Sequence, residues 1–345
     1  MSEKNFSIGF GVGSQNAKGD WLEVFYPKPL LNPDQEVVDA VAKNCGYSGG
    51  NEAIELGKNQ LETLESALRE MGQAEQADII STFKLSVRPL VATVLAGDDS
   101  PQTVPEGYLK LQLLSHRLVK PHGINLNGLF GVLPNVAWTN KGAIDITELP
   151  EAQLQARING ETLTIDCVDK FPKMTNYVVP SGVRIAHTAR VRLGAYIGEG
   201  TTVMHEGFVN FNAGTEGPGM IEGRISAGVF VGAGSDLGGS SSTMGTLSGG
   251  GNIVISLGKE CLLGANSGTG IPLGDRCTIE SGLYITAGTK VVILDDHGTQ
   301  VNTAKARDLA GKSDLLFRRN SASGAVECLT NKSAVELNEE LHSNN

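Results

Sequence analysis

Aliphatic side chains recur at every sixth residue through the middle of the chain. Val179, Ile185, Val191, Ile197, Val203 and Val209 form the first run. Ile225, Val231 and Leu237 follow, then Leu257 and Leu263, then Leu273, Ile279, Ile285 and Val291. Four residues after each stands a mostly small residue: Val183, Ala189, Ala195, Thr201, Gly207 and Ala213, later Val229, Ser235, Ser241, Cys261, Ser267, Cys277, Leu283 and Thr289. A helix repeats every 3.6 residues and a strand every two, so neither gives this spacing. A triangular solenoid does, with one short flat side and one corner per six residues and three sides per coil. The aliphatic points into the prism. The small residue packs near the corner, where space is short. Residues two and three places after an inward aliphatic point outward.

Outside the repeat the pattern changes. Leu61, Leu64, Leu68 and Met71 make a helical stripe that Gly72 can end. A second helical run is expected over roughly 77–96, and Gly97-Asp98-Asp99-Ser100-Pro101 reads as a loop. Leu109, Leu111 and Leu113 alternate, as do Leu163, Ile165 and Cys167, which reads as strand. Asp295-Asp296-His297-Gly298 reads as a hairpin turn, followed by a strand at Leu315-Leu316-Phe317 and a closing helix from Ser333 to His342. The expected organisation is a helical and mixed domain at 1–105, a small α/β module at 106–177, the solenoid at 178–294, and a C-terminal hairpin and helix at 295–345. The fold class is thus mainly β with an α/β N-terminal region.

The repeat breaks in three places. Val209 to Ile225 is four residues longer than two hexads, Leu237 to Leu257 is two longer than three, and Leu263 to Leu273 is two short of two. The extra residues are expected to loop out, first at Gly214-Thr215-Glu216-Gly217-Pro218-Gly219 and then from Gly238-Gly239-Ser240-Ser241-Ser242 to Gly249-Gly250-Gly251. Excursions from a rigid scaffold are where function usually sits.

Composition agrees with a thin prism. Hydrophobic residues are 40% and aromatics only 5%, with 44 glycines among 345 residues, which leaves a core without room for many rings. The net charge of −10 disfavours nucleic acid and anionic membranes as partners. No apolar run is long enough to span a bilayer, and the start lacks a signal-peptide pattern. The five cysteines show no CxxC spacing, which points to a reducing cytoplasm without disulfides. Cys261 and Cys277 fall in the small register and read as packing residues.

Two outward residues interrupt the bland repeat: His205 and Glu206, in Met204-His205-Glu206-Gly207-Phe208-Val209-Asn210. An acid beside an imidazole on a groove wall is a candidate general base, although most such exposed pairs are simply solvated. Arg184, Arg190, Arg192 and Arg224 cluster nearby in an acidic chain, as carboxylate capture requires, while solvated arginines are the plainer explanation. The glycine-rich excursion lacks the spacing of a nucleotide phosphate loop. Flat, partly apolar sides also favour a closed cyclic trimer.

The hexads resemble acyl- and acetyltransferases of the left-handed parallel β-helix class. More closely, Val168–Met174, Val183–Ala186, Arg190–Ala195, Thr202–Asn210, Met244–Gly251 and Leu316–Asn320 resemble the longer bacterial type of tetrahydrodipicolinate N-succinyltransferase. That resemblance implies a left-handed solenoid, a homotrimer, and succinyl transfer from succinyl-CoA to the amine of ring-opened tetrahydrodipicolinate in lysine and diaminopimelate biosynthesis. It implies Glu206 as the catalytic residue, acting as general base or as nucleophile through an acyl anhydride. It also implies the Gly228 N–H as an oxyanion donor. Substrate carboxylates fall to Arg184, Arg192 and Arg224, with His205 beside them. The CoA arm falls to Gly223, Ser226, Ser241, Ala265 and Asn266, and its phosphates to Lys290, Arg318 and Arg319. Some members of this type hold Mg²⁺ on the trimer axis, where Asp169 is the candidate ligand. His187 stands where the family often has an acid, which argues against a hard cation.

Three other readings compete. Another hexapeptide acyltransferase acting on a different amine or hydroxyl shares the period. A solenoid carbonic anhydrase needs three histidine ligands, and the repeat holds His187 and His205 alone. A purely structural solenoid needs no acid at position 206.

Overall fold

The computed structural model describes residues 6–245 and 253–330. The helix expected from Ser333 to His342 lies outside the described residues, as do Thr246–Gly251 of the second excursion. The chain forms two compact units. One comprises 1–113 and 123–172, the other 114–122 and 173–345.

In the first unit, β1 (Ser7–Gln15), β2 (Trp21–Phe25), β3 (Leu30–Leu31), β4 (Glu52–Glu55) and β5 (Leu90–Leu95) form an antiparallel sheet in the order β2-β1-β5-β4, with β3 beside β1. Helices α1 (Gln35–Cys45), α2 (Lys58–Glu70) and α3 (Ala74–Phe83) share a core with it, through Val37, Val41, Leu61, Leu64, Leu68 and Ile80. The stripe on α2 is as expected, and Gly72 follows the helix with φ +75°. The second helical run is shorter than expected. It stops at Phe83, and Leu90–Leu95 is a strand buried at every residue. A β-branched run enclosed on both faces loses the alternation that marks a strand.

Leu109, Leu111 and Leu113 belong to a helix, α4 (Val104–Ser115), and not to a strand. The false alternation comes from Lys110 and Gln112, both fully buried. Lys110 Nζ donates to Asp98 Oδ1 (2.6 Å) and to the carbonyls of Asp99 (2.6 Å) and Asn125 (2.9 Å). Gln112 binds the backbone of Val24 and Tyr26 at 2.8 Å each. Both side chains are therefore satisfied inside a buried helix. A domain boundary at 105–106 falls within this helix. Leu163 precedes a real strand, Ile165–Asp169, which pairs with Val136–Thr139.

The second unit is a parallel β solenoid with three faces. The first face stacks Arg184–Ile185, Thr201–Val203, Gly219–Ile221, Asp236–Leu237, Leu262–Leu263 and Thr278–Ile279. The second stacks Phe208–Val209, Arg224–Ile225, Ser242–Thr243, Gly268–Thr269 and Tyr284–Ile285. The third stacks Ala195–Ile197, Ala213–Thr215, Phe230–Val231 and Ser256–Leu257. The inward residues form one continuous core, including Ile197, Val203, Val209, Ile225, Leu263, Ile279 and Ile285. Each such side chain contributes about 1.5–3 kcal/mol on burial, which holds strands too short to be stable alone. The first coil is frayed: Val179 is 68% exposed, so regular coiling starts at Arg184.

The breaks differ from expectation. Residues 214–219 do not loop out. Thr215 and Ile221 occupy inward positions, buried at 2% and 0%. The path 209→215→221→225 therefore takes two full steps and one of four residues. Likewise Thr243 is inward on the second face, so Gly238–Ser242 stay in the coil and the long step of fourteen residues runs from Thr243 to Leu257. Inward threonines hid the register, and each hydroxyl is bonded. Thr215 Oγ1 pairs with Thr201 Oγ1 at 2.8 Å, and Thr269 Oγ1 donates to Ile271 O at 2.7 Å.

The hairpin around Asp295–Gly298 is present, joining antiparallel strands Lys290–Leu294 and Gln300–Lys305. Leu315–Arg319 is a strand and extends the first face beside Thr278–Ile279. All five cysteines are free thiols, and Cys261 and Cys277 pack in the core as expected.

Candidate active site

The short step shapes the surface. Between the first and second faces, one coil turns through Met204-His205-Glu206-Gly207 and another through Gly238-Gly239-Ser240-Ser241. The coil between them has only Glu222-Gly223, because Ile221 and Arg224 are three apart where Val203 and Phe208 are five apart. A corner two residues short between full corners leaves a recess of about 430 Å³, lined by Arg190, Glu206, Phe208, Gly223, Arg224, Ser240 and Ser241. Gly223 is required there. A Cβ on it would sit 2.1 Å from Ser241 Oγ.

Glu206 projects at the rim, its side chain 60% exposed. His205 Nδ1 donates to its Oε1 at 2.9 Å. Arg190 Nη2 stands 3.6 Å from its Oε2. The His205 hydrogen bond holds the Glu206 carboxyl below the ordinary glutamate range, and the Arg190 charge acts the same way against a smaller opposing desolvation. A carboxylate ionised at neutral pH on the wall of a recess can take a proton from a nucleophile. His187 stacks edge-on against His205, with ring centroids 5.2 Å apart.

The recess gathers Glu206, Arg224, Gly223 and Ser241 of the expected residues, with His205 behind Glu206. Arg224 is fixed by Ser242 Oγ, which accepts from Nε at 3.2 Å and Nη2 at 2.8 Å. Arg192 lies behind Phe208, its guanidinium 6.0 Å from the ring centroid, and donates to Asn210 Oδ1 at 3.2 Å. Arg184 is not brought to the recess: it lies on the first face in register with Thr202. Gly228 is not among the lining residues, and its N–H is already donated to Asn212 O at 3.1 Å. An oxyanion at this N–H would have to share or displace that turn bond. His122 Nε2 donates to the Gly228 carbonyl at 2.7 Å, which fixes the same turn further.

The expected CoA residues divide. Asn266, with φ +57°, turns at the same corner as Ser240, and Ala265 precedes it. The hydroxyls of Ser241 and Ser267, stacked at this edge, are buried with no hydrogen-bond partner among the described residues. Ser226 lies across the second face, its hydroxyl donated to Thr243 O at 2.6 Å. Lys290 and Arg319 lie towards the C-terminal end of the solenoid, on the strands Lys290–Leu294 and Leu315–Arg319. Arg318 is committed to Glu327 at 3.0 Å.

The candidate metal ligand is Asp169, which the resemblance places on an axis between three chains. Its Oδ1 accepts the Lys170 N–H at 2.7 Å, and among the described residues no group of three His, Cys, Asp or Glu is placed to hold a metal.

Phe208 and Ser240 had no site role in the sequence reading, and Arg190 entered it only as one of four clustered arginines. The signal was available: Arg190 precedes inward Val191 as Phe208 precedes Val209 and Arg224 precedes Ile225, so all three share one outward row.

Comparison with known proteins places this geometry in context. Residues 133–173 match the family model described as tetrahydrodipicolinate N-succinyltransferase middle, and residues 254–287 match the hexapeptide repeat of succinyl-transferase. A 2,3,4,5-tetrahydropyridine-2,6-dicarboxylate N-succinyltransferase from Pseudomonas paraeruginosa is 67% identical over 345 residues, the whole of both chains. One from Vibrio cholerae is 60% identical over 340 residues, 99% of each. A solved structure from Campylobacter jejuni, assigned as a 2,3,4,5-tetrahydropyridine-2-carboxylate N-succinyltransferase, superposes with a TM-score of 0.88 at 33% identity, covering 96% of this chain and 94% of that one.

Proposed function

The chain belongs to the tetrahydrodipicolinate N-succinyltransferase family, and we propose that it performs the family's acyl transfer in the recess at the short corner, with Glu206 as general base. It is an acyltransferase that uses succinyl-CoA to N-succinylate 2,3,4,5-tetrahydropyridine-2,6-dicarboxylate, in lysine and diaminopimelate biosynthesis. The observation that carries the site is Glu206 at the recess rim, bracketed by His205 and Arg190.

The acceptor is the amine of the ring-opened form. Its nitrogen attacks the thioester carbonyl, an N–C bond forms, the C–S bond breaks, and CoA leaves as the thiolate. An ammonium near pKa 10 has no lone pair, so one proton passes to solvent before attack, and the attacking nitrogen sheds a second as the amide forms. Glu206 receives this second proton and passes it to the departing thiolate, which becomes the CoA thiol. Arg224, held by Ser242 at the recess wall, binds a substrate carboxylate, and Arg192 behind Phe208 supplies further positive charge.

The CoA arm runs along the corner past Gly223, Ser241, Ala265 and Asn266. The partnerless hydroxyls of Ser241 and Ser267 support this path, since a buried hydroxyl without a bond is costly until a ligand supplies one. Lys290 and Arg319 meet the phosphorylated end. No step is assigned to a metal. A left-handed sense of the solenoid, a closed homotrimer and a cytoplasmic location are part of the same proposal and are supported by the resemblance to the family. No helix among the described residues is long and apolar enough to cross a membrane.

Free-thiol release by the purified protein tests the reaction. Succinyl-CoA with tetrahydrodipicolinate should release thiol, and acetyl-CoA should do so far more slowly. Release with acetyl-CoA and another amine, and none with the succinyl pair, would replace this reading with that of a different hexapeptide acyltransferase.

A further inference from the structure

We propose that Arg190 is a positioning residue for Glu206: its guanidinium ties down the corner from which the carboxylate projects and holds that carboxylate over the recess. This rests on the reading of Glu206 as the acting base.

Arg190 ends a short 3₁₀ turn, Thr188–Arg190, in the coil before the corner. Its planar fork reaches across to the corner and makes three contacts there. Nη2 donates to Glu206 O at 2.8 Å, Nε donates to Gly207 O at 3.2 Å, and Nη2 stands 3.6 Å from Glu206 Oε2. Two of the three are to main-chain carbonyls, so the arginine holds the backbone of the corner as well as the side-chain charge. A lysine ammonium, as a single point, does not reproduce the fork.

The need for such a tie follows from exposure. Glu206 is more than half exposed, so its side chain is free to sample rotamers that leave the recess, and the ion pair by itself is weak in water. Two partners on different oxygens restrict it: His205 on Oε1 and Arg190 on Oε2. The charged or titratable groups that act on Glu206 are His205, Arg190 and His187, with Arg224 also in the recess wall. Of these, Arg190 alone also holds the corner's main-chain carbonyls.

The test compares Arg190→Gln and Arg190→Lys with Glu206→Gln, following kcat and KM across pH. Misplacing a reacting group by about 1 Å costs up to roughly 100-fold, so Arg190→Gln should lower kcat about 10- to 100-fold with little change in the KM for succinyl-CoA. The acid limb of the kcat profile should move to higher pH, because a positive charge that favours the ionised carboxylate is gone. Arg190→Lys should keep the limb near its original position while recovering only part of kcat. A merely structural role would lower the amount of active enzyme and leave the limb in place. If Arg190→Gln does not fold, the pH profile and kcat of Arg190→Lys decide. An unmoved limb with kcat within about two-fold in the glutamine variant, or full kcat in the lysine variant, overturns the proposal. An active Glu206→Gln would instead remove the base assignment on which it rests.

Discussion

Two corners of the same solenoid behave differently. From the third face to the first, every step is six residues: Ile197 to Val203, Thr215 to Ile221, Val231 to Leu237, Leu257 to Leu263 and Leu273 to Ile279. That edge holds buried small residues, among them Thr201, Ser235, Cys261 and Cys277, and the recess does not reach it. From the first face to the second, one step is four residues, and the recess with Glu206 opens there. The regular corner shows what the repeat does unaided, which is to close a rigid prism. At this corner the repeat is short by two, and the wall of the close-packed prism leaves room there for a ligand.

The comparison can be broken by repairing the short corner. Inserting Gly-Ser between Glu222 and Gly223 should restore a six-residue step and fill the recess. Circular dichroism should report an intact fold, while turnover falls at least about 100-fold. A smaller effect is expected inside the recess. Arg224→Ala removes a charge-assisted contact worth about 1.5–3 kcal/mol, so kcat/KM should drop roughly 10- to 100-fold, with the loss in the acceptor's KM. In the shared core, Ile279→Ala should cost about 2–5 kcal/mol in denaturant unfolding at fixed protein concentration and leave kcat unchanged. The smallest change is Thr215→Val, which removes the 2.8 Å hydroxyl pair with Thr201 and should shift stability by only about 1 kcal/mol.

Much of this was legible in the sequence. Inward Val203 fixes His205 and Glu206 as outward, and the residues between Val209 and Ile225 already contain the shortened step. That step was misassigned because Thr215 fills an inward site with a hydroxyl that another threonine satisfies, so the pattern looked interrupted where it was continuous. Lys110 and Gln112 misled in the same way in α4: fully bonded polar groups in a core imitate a solvent face. The contact of Arg190 with the Glu206 corner depends on coil-to-coil geometry, which spacing along one coil does not carry. Gly228 came from resemblance, and the bond to Asn212 was visible only once the turn was built.

The most direct measurement is thiol release by Glu206→Gln with succinyl-CoA and tetrahydrodipicolinate, both saturating, at neutral pH. Loss of a general base costs about 10²–10⁴-fold, so kcat should fall by that factor while succinyl-CoA affinity stays near that of the parent enzyme. Turnover within about two-fold of the parent would place the base elsewhere and contradict the account of the short corner as the active site.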